Sequence, residues 1–339
     1  PGQKRFLGMI AETAGRVPWD KPRTFYEGLC TVWFLHEVCA SIEGIGMSVM
    51  GHLDRMLGHL YQRDLEAGRL TPGEAYDLIC RFMLHTEGKL DLNKPVDEAY
   101  NRHEQGDVII LGGCDEHGNE VCNPITFMVL NAHHELKLIY PKVHCRVTQN
   151  SRKDYLDAIN RDFVSGRNVI AFLNDDGLIP AQLKAGKNLQ DARRYVAGGC
   201  WEIILEGYEH SAGANCYFNL LRIMDMTIHG GPEAADTGVA CNGIDAAQGF
   251  DDVYRIVLDN VTRAIRHMCA TMARNGSIWP MVSPAPFFSA CLADCLEKRR
   301  DYTAGGGRYN PHGLPLGAFA NFVDSLLAMQ TLCFESQHC

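Results

Sequence analysis

Apolar residues recur at three- and four-residue intervals over positions 24–41, where Phe25, Leu29, Val32 and Trp33 share a face with His36. The same period runs over 54–84 and breaks at Thr71-Pro72-Gly73. Thr71 with Glu74 three positions on forms a capping box, and Pro72 takes the first helical position. The spacing predicts a mainly helical stretch over 1–105. The alphabet then changes: positions 107–112, 142–148 and 168–173 are short β-rich runs separated by helical patterns over 124–137 and 152–165. Such alternation predicts an α/β sheet or barrel. Two of the runs are almost continuously apolar, which predicts strands buried on both faces. A fourth strand is predicted over 195–203, and helices over 216–229, 251–274, 287–298 and 317–333. With no internal repeat or low-complexity linker, the chain reads as one domain over 1–339, helical to 105 and mixed from 106.

Composition narrows the function classes. A chain that is 46% hydrophobic and 22% charged is globular, and its net charge of −9 without a basic run argues against nucleic acid or an anionic membrane as partner. The apolar run 169–173 falls far short of the roughly 20 residues a membrane-spanning helix needs. The 14 cysteines contain no Cys-x-x-Cys pair, so no metal site is expected. With no basic-then-apolar segment at 1–10, most of them read as buried thiols of a reducing cytoplasm. His133-His134 reads as a helix-surface pair. The start at Pro1 and the end just after a helical pattern give the expectation of a fragment.

The segment most able to carry chemistry is Gly198-Gly199-Cys200-Trp201-Glu202. In an extended strand Cys200 and Glu202 face the same side, so one cavity receives a thiol that can attack and a carboxylate that can move a proton. The residues alone leave other readings open: a core thiol beside an Arg-paired carboxylate, a thiolate hydrolase served by His210, or a barrel that binds a partner without turnover. Ser48, Asn174, Asp175, Tyr309 and Asn310 are of types that line a substrate cavity and equally of types that cap helices and close turns.

The longer segment Asp191-Ala-Arg-Arg-Tyr-Val-Ala-Gly-Gly-Cys-Trp-Glu202 resembles the active-site cysteine segment of the glycyl radical enzymes, the pyruvate formate-lyase-like family, in its Gly-Cys-x-Glu subgroup. The likeness extends through Val17-Pro-Trp-Asp20, Arg23-Thr-Phe-Tyr-Glu-Gly-Leu29, Phe172-Leu-Asn-Asp175, Thr303-Ala-Gly-Gly-Gly-Arg-Tyr-Asn310 and Asp324-Ser-Leu326. It implies part of a ten-stranded α/β barrel surrounded by helices, with Cys200 as thiyl radical carrier and Glu202 as proton-transfer or substrate-anchoring group. It also implies a lyase of dehydratase type acting on a small polar substrate in an anaerobic cytoplasm, with decarboxylation or another carbon–carbon cleavage as the alternative. The radical would be installed by an S-adenosylmethionine iron–sulfur activating enzyme. The family's Arg-Val-x-Gly loop does not occur in these 339 residues. The glycine would therefore belong to another segment or subunit, and the isolated chain is expected to be inactive. A homodimer is a further family-level expectation. Two departures argue against a simple glycerol-type pocket: His52 stands where many relatives carry arginine, and Met47 lies where some dehydratases carry a polar substrate contact.

Overall fold

The computed structural model describes residues 2–44, 49–87, 107–198, 201–209, 217–229 and 238–335. The chain forms two compact units, one of 1–209 with 286–293 and the other of 210–285 with 294–339.

The first unit begins with α1 (Gly2–Ala14) and α2 (Phe25–Glu43), followed by β1 (Val49–His52), α3 (Leu53–Glu66), α4 (Pro72–Glu87) and β2 (Val108–Gly112). Then come α5 (Pro124–Glu135), β3 (Lys142–Val147), α6 (Lys153–Val164), β4 (Ile170–Asn174), α7 (Asp175–Lys184) and α8 (Leu189–Arg193). The hairpin β5 (Tyr195–Ala197) and β6 (Ile203–Leu205) follows. Strands β1-β2-β3-β4 pair in parallel in that order, with Ile110 beside His144 and His144 beside Ala171. This is the expected α/β architecture. Among the described residues the sheet is an open arc of four strands.

Every residue of β2 is buried, because its two faces meet two cores. Ile109 and Leu111 join Leu53, Leu57, Ile79, Val129, Val143 and Ile159 beneath the helices. Val108 and Ile110 pack on the other face with Val196. Burying each such side chain contributes about 1.5–3 kcal/mol. Caps fix where helices start: Glu74 and Thr71 exchange the two capping-box hydrogen bonds at 2.8 and 3.2 Å, and Asn123 caps α5 with Thr126. His36 on α2 points its Nε2 to within 2.8 Å of Asp107 Oδ1, both groups buried, and so ties α2 to the start of β2.

Three expectations change. His133 is fully buried rather than exposed, and His134 Nδ1 lies 2.6 Å from buried Asp162, because this end of α5 is covered by residues 162–167. The helix expected over 287–298 is two: α12 (Pro286–Ala290) in the first unit and α13 (Ala293–Lys298). The chain turns between them, where the N–H of Ala293 donates to the Gly207 carbonyl at 3.0 Å. The single strand expected over 195–203 is a hairpin, described below.

The second unit contains β7 (Phe218–Asn219), α9 (Leu220–Ile228), α10 (Phe250–Gly276), α11 (Trp279–Val282), most of α13, β8 (Leu316–Gly317) and α14 (Phe319–Met329). Its core joins Ile223, Met224, Val253, Val257, Phe322 and Leu326. Buried Asn260 donates to Thr227 Oγ1 and the Asn242 carbonyl, both at 2.9 Å. Among the described residues no helix is long and apolar enough to cross a membrane.

Candidate active site

Gly198, Trp201 and Glu202 lie at the tip of the β5–β6 hairpin. Tyr195, Val196 and Ala197 pair antiparallel with Leu205, Ile204 and Ile203. The tip is closed by two hydrogen bonds, from Gly198 N to the Glu202 carbonyl at 2.8 Å and from Trp201 N to the Gly198 carbonyl at 2.9 Å. Trp201 adopts φ +74°, the left-handed region that a bulky side chain rarely enters, and this reverses the chain where extended strand was expected. Gly199 and Cys200, which separate Gly198 from Trp201 in the sequence, lie outside the described residues. Gly198 lets the carboxylate come close: a Cβ there would stand 3.0 Å from Glu202 Oε2, a contact relieved by a small shift of the Glu202 side chain. The Glu202 carboxylate thus folds back over the end of β5. Trp201 packs edge to face on His144, with ring centroids 6.4 Å apart.

Beneath the hairpin lies a buried polar network that the motif reading missed. Arg146, fully buried on β3, donates from Nε and Nη2 to the two carboxylate oxygens of Asp175, each at 2.8 Å. Tyr195 Oη donates to the same carboxylate at 2.5 Å, and the Arg146 guanidinium stacks 4.1 Å from the Tyr195 ring centroid. Burial works against the Arg146 charge, but the bonds to Asp175 more than compensate and raise its pKa. His52 Nε2 donates to the Tyr195 carbonyl at 3.0 Å. Burial first, then the charges of Arg146 and Arg55, hold His52 well below its usual pKa and therefore neutral. Glu206 accepts from His52 N at 2.8 Å and pairs with Arg55. Gly113 at φ +73° leaves room for the network, since a Cβ there would stand 2.5 Å from Arg146 Nε. Tyr195 is therefore gripped at its carbonyl, ring and hydroxyl, and it opens the strand that leads to the cysteine tip.

On the same face, Arg146 is preceded at alternate positions by His144 and Lys142. Burial and the Lys142 charge push the His144 pKa down to about 4. Nearby Asp54 is fully buried, and burial pushes its pKa up to about 6 against hydrogen bonds from Gly112 N and Thr126 Oγ1, each at 2.8 Å. The alternation Lys142, His144, Arg146 inside an apolar run is the sequence signal that could have found this row.

The remaining expected site residues are placed as follows. Asn174 caps α7, its Oδ1 accepting from Asp176 N at 3.0 Å. Asp175 is the buried partner of Arg146. Ser48 lies outside the described residues. Tyr309 and Asn310 belong to the second unit, where Asn310 Nδ2 donates to the Gly307 carbonyl at 3.0 Å. The structure thus brings Asp175 into one network with the strand that carries the cysteine tip. Among the described residues no cluster of three or more His, Cys, Asp or Glu could hold a metal ion.

Comparison with known proteins agrees with this architecture. The chain is 25% identical to trans-4-hydroxy-L-proline dehydratase of Clostridioides difficile over 344 residues, covering 99% of this chain and 43% of that protein. It is also 25% identical to (2S)-3-sulfopropanediol dehydratase of Klebsiella oxytoca, covering 99% and 41%. The solved structure of a glycyl radical enzyme from Archaeoglobus fulgidus superimposes with a TM-score of 0.89 at 24% identity, covering 98% of this chain and 43% of that one. The chain therefore spans about two fifths of the length of the proteins it matches. The family model for pyruvate formate lyase-like proteins matches residues 1–339, and the chain belongs to that family.

Proposed function

We propose that these residues are the cysteine-bearing part of a glycyl radical lyase that eliminates water or a comparable leaving group from a small polar substrate. The observation that carries this reading is the hairpin tip, in which a carboxylate is folded against the backbone two residues after the cysteine. The radical starts on a glycine outside these 339 residues, installed by an S-adenosylmethionine iron–sulfur activating enzyme, and supplies hydrogen abstraction from the Cys200 thiol. Cys200 then removes a hydrogen atom from a substrate carbon that bears a hydroxyl. Glu202 accepts the proton of that hydroxyl and delivers a proton to the leaving hydroxyl on the neighbouring carbon, which departs as water. The Cys200 thiol returns its hydrogen atom to the product radical, so sulfur and carboxylate both end as they began. The network of Arg146, Asp175, Tyr195 and His52 does no chemistry in this scheme. It holds β5 still beneath the tip, and in the complete protein a closed barrel would shield the radical from other hydrogen donors. Asn174, Tyr309, Asn310 and Ser48 remain proposed substrate contacts of the complete protein, and an anaerobic cytoplasm and a homodimer its proposed setting and assembly.

The test uses the full-length protein with its activating enzyme, under anaerobic conditions, with product profiling on hydroxylated substrates and on a carboxylated aromatic. Elimination products are expected. Cys200→Ser should abolish turnover, and Glu202→Gln should lower kcat by about 10²–10⁴. Release of carbon dioxide as the main product would replace elimination by decarboxylation, and unchanged turnover in both variants would remove the catalytic assignment.

A further inference from the structure

A pair of sulfurs meets in the first unit, outside the hairpin. Cys39 lies on α2 and is 5% exposed, whereas Cys291, just beyond α12, is exposed. One turn along α2 from Cys39, the two carboxylate oxygens of Glu43 accept from the backbone N–H groups of Phe287 and Phe288 at 2.7 and 2.8 Å. One turn along from Phe287, the Cys291 thiol reaches back to the Phe287 carbonyl at 3.4 Å. Positions 39 and 43 on α2 are therefore matched by 291 and 287 on the facing segment. The carboxylate takes the amides, and the two thiols are hydrogen-bonded to each other.

Exposure sorts the two sulfurs into roles, and the bond between them, which lowers the Cys291 pKa and raises that of Cys39, acts in the same sense. Cys291 is the sulfur that solvent reaches, which is the character of an attacking thiol. Cys39 is shielded and already within reach of it, which is the character of a resolving thiol.

We propose that Cys39 and Cys291 form a redox modification site, a dithiol that low-molecular-weight disulfides convert to an intramolecular disulfide fastening segment 286–293 to α2. The Cys291 thiolate attacks one sulfur of the oxidant, forming a mixed disulfide and releasing one thiolate. Cys39 loses its proton to that thiolate and attacks the Cys291 sulfur, expelling the second thiolate, which takes the proton that Cys291 had given to solvent. Two protein thiols are oxidised and one disulfide is reduced to two thiols.

The test treats the full-length protein with oxidised glutathione and maps every cysteine by differential alkylation and peptide mass spectrometry. A Cys39–Cys291 linked peptide is expected, reversed by dithiothreitol, and formed about tenfold faster than a glutathione adduct on exposed Cys269 or Cys333. Cys39→Ser, or Cys39→Ala should the serine disturb packing, should halt the reaction at a mixed disulfide on Cys291. Cys291→Ser should leave Cys39 reduced. A wild-type protein that keeps glutathione on Cys291 without a bridge, leaves Cys291 unmodified, or scatters its bridges over other cysteines overturns the proposal.

Discussion

Asp175→Asn is the sharpest probe of the platform under the cysteine hairpin. The substitution keeps the size of the side chain but removes the only acidic group bonded to Arg146 among the described residues, and Arg146 has no exposed surface. Leaving a fully buried guanidinium without its counter-charge costs about 3–5 kcal/mol. A domain of 150–250 residues, the size of the first unit, loses about 2–4 °C of Tm per kcal/mol, so the shift should be about 6–20 °C. Urea unfolding followed by circular dichroism measures the loss, and a matching m-value would show that the folded state stays equally compact. The double variant Arg146→Met with Asp175→Asn removes both charges and should recover at least about half of the loss, because the main cost is the unpaired charge rather than the missing bonds. A single-variant loss under about 1 kcal/mol, or a double variant less stable than Asp175→Asn, would refute the reasoning.

Stability should also fall on mild acidification. Burial, with the Arg167 charge at His133 and the Lys142 charge at His144, lowers both pKa values from 6.5 to about 4. Between these limits the unfolded chain binds protons that the folded chain refuses, so stability is full above 6.5 and is lost as pH drops toward 4, by about 3 kcal/mol per histidine. Denaturant unfolding at several pH values should show this slope, and His144→Gln should flatten it; an unchanged slope in that variant would count against the assignment. Gly198→Ala should move the unfolding free energy by under about 1 kcal/mol, because Glu202 can swing aside. The displaced carboxylate should nevertheless lower turnover about tenfold, and full activity in this variant would show that the carboxylate position is immaterial.

Local pattern made a good part of this fold legible. The period-3.6 faces of α2, α5 and α10, the Thr71–Glu74 cap and the β-rich runs of β2, β3 and β4 are properties of neighbouring residues, and they appear where the spacing puts them. What escaped depends on distant partners. β1 has four residues and acquires its strand character from pairing with β2. The hairpin escaped because its reversal uses Trp201 in a left-handed conformation, where turn chemistry would have asked for glycine or asparagine. His133 gave no sign of burial because the residues that cover it lie about thirty positions further on. The site was half visible: Glu202 stood out through its motif, whereas Arg146, Tyr195 and Glu206 join it through contacts across 20 to 154 positions.

The parallel arc also bears on handling the protein. Among the described residues β4 has β3 on one side and no ladder partner on the other, and Phe172 in its middle is 42% exposed. A strand in that position presents a ready row of amides and carbonyls, with an aromatic ring to strengthen any pairing. A preparation of these 339 residues alone would therefore be prone to edge-to-edge self-association. A lysine in place of Phe172 would be the economical way to keep such a preparation in solution.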